Sequence, residues 1–148
     1  MSVHFRKLAL IGIGLIGSSI ALAARRQGLV DVIAISTRKQ ETLDEARDFN
    51  LGDIYTLDAA EAVRGADLVI ICTPVGAYEG VMRAIAPALE KGAVLSDVGS
   101  VKGHVVRTLA PLVRAHPRYR SRSRADGKTR RLLARHGQPG GSHGCRPP

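Results

Sequence analysis

Residues 8–17 read Leu8-Ala9-Leu10-Ile11-Gly12-Ile13-Gly14-Leu15-Ile16-Gly17, and this stretch decides the fold. Four apolar residues lead into the spacing Gly12-x-Gly14-x-x-Gly17, and an alanine-rich segment follows. A strand, a glycine turn and a helix in that order form the phosphate cradle of a dinucleotide-binding βαβ unit. Gly12 permits the tight turn, Gly14 lets the backbone approach a pyrophosphate, and Gly17 lets helix and strand pack closely. Leu15 and Ile16 open the helix, whose free N–H groups and partial positive charge suit an anion. The glycine spacing alone is weak evidence. The strand before it, the helix after it and a second strand at residues 32–36 give it specificity.

Working outward, residues 7–11 read as the first strand and residues 15–27 as the first helix, with Gly28 as its C-cap. Residues 40–49 read as a helix with Leu43, Ala46 and Phe49 on its inner face, ended by Asn50-Leu51-Gly52. Residues 54–56 suit a short edge strand. Asp58 reads as an N-cap with Glu61 three residues on. The run Asp67-Leu68-Val69-Ile70-Ile71-Cys72 suits a parallel strand covered on both faces, stopped by Thr73-Pro74. Residues 78–89 carry Val81, Ile85 and Leu89 at helical spacing, with Pro87 distorting the last turn. Residues 93–96 read as another buried strand and residues 101–113 as a final helix. This alternation predicts an α/β fold, a Rossmann-type doubly wound parallel sheet.

The chain has 148 residues and a net charge of +9, but the charge is not spread evenly. Residues 1–116 hold 13 Lys/Arg against 12 Asp/Glu, a net +1, whereas residues 117–148 hold 9 against 1, a net +8. The first segment reads as an NAD(P)-binding domain whose sheet ends early. The second reads as a disordered, basic, low-complexity tail of Arg, Ser, Gly, His and Pro. No run approaches the roughly 18 apolar residues of a membrane span, and the N-terminus lacks signal-peptide order. The two cysteines, Cys72 and Cys145, suggest no disulfide framework. A cytoplasmic protein is expected.

Ligands of open α/β sheets lie beyond the C-terminal ends of the strands. Three segments converge there: the 12–17 turn, Thr73-Pro74-Val75-Gly76, and Asp97-Val98-Gly99-Ser100-Val101-Lys102. Together, Cys72-Thr73-Pro74-Val75 and Asp97-Val98-Gly99-Ser100-Val101-Lys102 resemble the nucleotide-binding half of prephenate dehydrogenases. That family includes the arogenate and cyclohexadienyl enzymes of tyrosine biosynthesis. Leu10-Ile11-Gly12-Ile13-Gly14-Leu15-Ile16-Gly17-Ser18-Ser19 looks like its opening motif, and the resemblance spans about residues 6–114. It implies oxidative decarboxylation of prephenate or arogenate: hydride leaves the ring carbon bearing the 4-hydroxyl, carbon dioxide is lost, and the ring becomes aromatic. It also implies that Ser100 holds the substrate hydroxyl and that Thr73-Pro74 borders the nicotinamide ribose. From the residues alone, the alternatives are that Ser100 caps the helix after it and that Thr73-Pro74 stops the strand. Asp97 reads as orienting its loop through backbone hydrogen bonds.

An NAD-preferring site carries Asp or Glu at the end of the second strand. Here that place is held by Ser36, with Thr37, Arg38 and Lys39 behind it. Without an acid there, Arg38 could pair with a 2′-phosphate, which favours NADP or dual use over strict NAD. The family's catalytic His-Pro-x-Ala-Gly motif has no clear counterpart; His116-Pro117 is followed by Arg118-Tyr119. The family's helical substrate and homodimerisation domain is also not seen. The chain is therefore expected to bind cofactor weakly and turn over little. The preferred account of the abrupt change near residue 116 is a frameshift in a GC-rich gene. A genuine basic tail touching nucleic acid is a weaker account, since only Tyr119 could stack on a base. A metal site from His136, His143 and Cys145 matches no standard spacing. Another Rossmann-type dehydrogenase would share the 12–17 turn but not the two later motifs.

Overall fold

The computed structural model describes residues 4–99. Ser100, the expected helix at 101–113 and the expected tail at 117–148 lie outside the described residues. Five parallel strands form one sheet in the order β3-β2-β1-β4-β5. They are β1 (Phe5–Ile11), β2 (Val30–Ser36), β3 (Ile54–Thr56), β4 (Leu68–Ile71) and β5 (Val94–Asp97). Between them run α1 (Leu15–Arg26), α2 (Gln40–Asp48), α3 (Ala59–Val63) and α4 (Tyr78–Ile85). The order reverses between β1 and β4, and that switch point is where such sheets take their ligands.

The central strands are apolar on both faces because helices cover both. Leu8, Leu10, Ile33 and Ile35 point to one side and pack with Ala21 and Ala24 of α1 and Leu43 and Ala46 of α2. Ala9, Ile11, Val69 and Ile71 point to the other and pack with Ala62 and Val63 of α3 and Tyr78, Met82 and Ile85 of α4. Successive side chains on a strand alternate faces, so continuous apolar runs serve two cores at once.

Helix α1 ends in a Schellman turn: Gly28 has φ +60°, its N–H donates to Arg25 O, and the Leu29 N–H donates to Ala24 O. Helix α2 ends the same way on Asn50, with φ +50°. The Asn50 N–H donates to Arg47 O and the Leu51 N–H to Ala46 O. This corrects one expectation. Phe49 is 74% exposed, and Leu51 takes the inner position at 6%. Phe49 stands about 120° round the helix from Leu43, and the left-handed residue after it swings Leu51 back onto the core.

One further expectation changes. The strand expected at 93–96 as buried is β5, at the edge of the described sheet, with Val94 and Ser96 exposed. The helix expected over 78–89 is distorted in its last turn by Pro87, as expected: α4 ends at Ile85 and a 3₁₀ turn, Ala86–Ala88, follows, because the proline ring leaves no N–H for an α-helical bond. At the start of α3, Asp58 Oδ1 accepts the Ala60 N–H at 2.8 Å, as an N-cap should. Glu61 is instead joined to the Thr56 hydroxyl, which itself accepts the Asp58 N–H.

Candidate functional site

At the C-terminal ends of the strands the fold leaves a cleft of about 960 Å³. Its floor is the turn after β1. The Gly12 N–H donates to Ser36 O at 2.7 Å, and the Cys72 N–H donates to Ile11 O at 2.8 Å, so β2 and β4 hold the turn from both sides. Gly12 has φ +95°, and a Cβ there would stand 3.0 Å from the carbonyl carbon and oxygen of Cys72. A Cβ at Gly17 would stand 2.8 Å from Gly12 O. Both positions need glycine because protein backbone occupies the space.

Gly14 differs. It has φ −71°, which any residue adopts, and nothing lies within 4 Å of where its Cβ would be. The fold itself therefore asks for no glycine there. The bare backbone faces the cleft, at the N-terminus of α1. That terminus has no side-chain cap and no acidic residue in its first turn. The Ser18 N–H makes the first helical bond, to Gly14 O, and the N–H groups before it have no helical acceptor. A phosphate placed against Gly14 would meet those donors and the positive end of the helix dipole.

Of the residues singled out by sequence, Gly12, Gly14, Ile16, Ser36, Arg38, Thr73, Pro74 and Val75 line the cleft. Leu15 and Gly17 do not. Leu15 is 87% exposed on the outside of α1, and Gly17 is buried beneath the turn. Ser36 is 2% exposed, so it supports the wall from behind, and Thr37 and Arg38 continue along it. Ser100 lies outside the described residues, as do His116, Cys145 and the other proposed metal ligands.

The structure adds residues that sequence reasoning missed. Asp58, from the loop before α3, joins the Arg38 wall. The sequence around Ser36 carries no acid, and this carboxylate comes from the next βα loop. On the opposite side, Tyr78, Val98 and Gly99 border the cleft beside Thr73. The Gly99 N–H donates to Asp97 Oδ1 at 2.8 Å, closing the turn as expected of an orienting Asp. Burial pushes the Cys72 thiol up to about 11, so it stays protonated near neutral pH and offers no nucleophile. Burial also raises the Tyr78 hydroxyl, with the nearby Asp97 and Cys72 adding to it. Among the described residues no group of His, Cys, Asp and Glu could hold a metal ion, and no helix is long and apolar enough to cross a membrane.

Residues 20–119 match the family model described as prephenate dehydrogenase, nucleotide-binding domain. The chain belongs to this family. The match starts beyond the 12–17 turn, so the glycine geometry and the family assignment are separate lines of support. A cyclohexadienyl dehydrogenase of Zymomonas mobilis is 45% identical over 105 residues, covering 71% of this chain and 36% of that protein. The structure of the A. aeolicus prephenate dehydrogenase in complex with hydroxyphenyl propionate and NAD+ superposes with a TM-score of 0.70 at 24% identity. That superposition covers 80% of this chain and 41% of the other. The Synechocystis arogenate dehydrogenase superposes with a TM-score of 0.66 at 29% identity, over 72% and 37% of the two chains. The chain therefore spans well under half the length of these relatives. The family is one of oxidoreductases, and its shared fold is the Rossmann-type sheet seen here.

Proposed function

We propose that the cleft binds a nicotinamide dinucleotide and that the chain carries the cofactor half of a dehydrogenase acting on prephenate or arogenate, in tyrosine biosynthesis in the cytoplasm. The observation that carries this reading is Gly14, whose bare backbone opens onto the cleft above the uncapped start of α1. A nicotinamide dinucleotide held in the cleft would supply the hydride acceptor for oxidation at the substrate ring carbon, with loss of carbon dioxide and aromatisation of the ring. The residues of this chain supply binding and orientation. The first-turn N–H groups of α1 hold the pyrophosphate. Arg38 and Asp58 share the wall for the adenosine ribose. An arginine there attracts a 2′-phosphate and an aspartate accepts from a 2′-hydroxyl, so the pair suits use of both NAD and NADP. Thr73, Pro74 and Val75 border the nicotinamide side. Ser100, by family resemblance, holds the substrate hydroxyl.

The chain has no tryptophan, so NADH and NADPH emission can be followed with little protein background. Saturable enhancement of either, reversed by the oxidised cofactor, is the expected result. No saturable response to either cofactor would overturn the reading. Prephenate- or arogenate-dependent release of carbon dioxide by the whole protein tests the substrate.

A further inference from the structure

His4 stands just before β1, at the end of the sheet away from the cleft, and each of its ring nitrogens meets an oxygen. Nε2 lies 2.8 Å from Asp31 Oδ1 on β2. Nδ1 lies 3.2 Å from the carbonyl oxygen of Gly28, in the turn that ends α1. A carboxylate and a carbonyl only accept hydrogen bonds, so both nitrogens have to donate. Only the imidazolium carries two N–H groups. A neutral ring, in either tautomer, turns a lone pair toward one of the two oxygens.

The position of the ring gives that protonation a structural consequence. β1 is the middle strand of the five, and its far end leads into the Gly12 turn. Phe5 opens it: the Phe5 N–H donates to Leu29 O at 2.9 Å, and Phe5 pairs with Val30 of β2. His4 therefore joins the start of β1, the turn after α1 and the start of β2. Two carboxylates face the ring and favour its cation, Asp31 on β2 and, less strongly, Asp67 before β4. On its own strand, Arg6 is engaged with Asp67, Nε to Oδ2 at 3.6 Å.

We infer that His4 is a pH-sensitive clasp: as the imidazolium it fastens the start of β1 to the α1–β2 turn, and on losing its proton it releases that end of the strand. The hydrogen bonds to Asp31 and Gly28 raise the ring above its ordinary value of 6.5. A group raised in the fold contributes fully below its unfolded value and loses that contribution as pH climbs through the folded one. The clasp is thus closed below pH 6.5 and opens above it, on the basic side of the ordinary histidine range. His4 and Asp31 are both exposed to solvent, and exposed ion pairs hold little on their own. The response is a local opening of the strand end, with the rest of the sheet intact.

The test uses the full chain, His4→Gln and Asp31→Asn. Proton NMR follows the ring C2–H of His4, identified among the five histidines as the resonance that His4→Gln lacks. Hydrogen exchange of the Phe5 amide is compared between wild type and His4→Gln at each pH, which cancels the intrinsic pH dependence of exchange. The expected midpoint of His4 lies above 6.5 in the wild type and lower in Asp31→Asn. Below the wild-type midpoint, the Phe5 amide should exchange several-fold more slowly in the wild type than in His4→Gln; above it, the two should exchange alike. A midpoint at or below 6.5 would overturn the inference. So would a midpoint that Asp31→Asn leaves in place, or Phe5 protection that does not follow the charge on His4.

Discussion

Gly17 sits directly against the carbonyl oxygen of Gly12, which a Cβ at position 17 would approach to 2.8 Å. The two glycines seat α1 on the turn at backbone contact distance. Gly12 is pressed in the same way against Cys72 at the end of β4. The cradle is thus shaped by three elements whose closest approaches are to backbone atoms.

Gly17→Ala forces α1 away from the turn. The expected cost is about 1–3 kcal/mol, read as a lower urea midpoint with an unchanged slope. A variant as stable as the wild type would show that the helix shifts freely, and that the turn is less tightly held than its geometry implies.

The shared wall of Arg38 and Asp58 makes a prediction about cofactor choice. Arg38→Ala should weaken NADP+ about tenfold more than NAD+, since only NADP+ offers the 2′-phosphate. Asp58→Asn keeps an N-cap for α3, because Asn caps as well as Asp, and removes the charge. It should strengthen NADP+ relative to NAD+. Parallel titrations check both, and equal effects on the two cofactors in either variant would exclude that residue from the choice.

Asp67 lies at the end of the sheet away from the cleft and links stability to pH. Burial alone would raise its carboxyl, but the Lys7 and Arg6 backbone N–H bonds, at 2.8 and 3.0 Å, outweigh it. The net shift is below the ordinary value of 3.8. A group lowered in the fold contributes fully above its unfolded value and loses that contribution as pH falls through the folded one. Asp67→Asn should therefore be less stable than the wild type by about 1–2 kcal/mol at neutral pH, with the gap closing below pH ~4. Urea unfolding at neutral and acid pH measures it; a gap independent of pH would remove Asp67 from this role.

The central strands are legible in the sequence because burial on both faces turns them into unbroken apolar runs, as in Leu8-Ala9-Leu10-Ile11 and Leu68-Val69-Ile70-Ile71. Positions set by a chain reversal are harder. Phe49 fits the helical stripe by type, but the left-handed turn at Asn50 gives its place to Leu51. Val94 is apolar yet half exposed, since a residue's type does not say which strand lies at the edge of the described sheet. The same holds for the cleft. Gly12 and Gly14 announce themselves by spacing within one turn. Asp58 and Tyr78 reach the cleft only because β3 and β4 flank β2 and β1, and that adjacency has no local signal.

The central claim is that the turn at Gly14 receives a dinucleotide, and Gly14→Ala tests it most directly. Alanine suits the backbone angle and meets no protein atom within 4 Å, so the fold should tolerate it. It places a methyl group where the pyrophosphate would lie. Titrating wild type and variant with NADH and NADPH should give saturable fluorescence enhancement in the first and its loss in the second, at unchanged melting temperature. Equal binding by the two proteins would contradict the account.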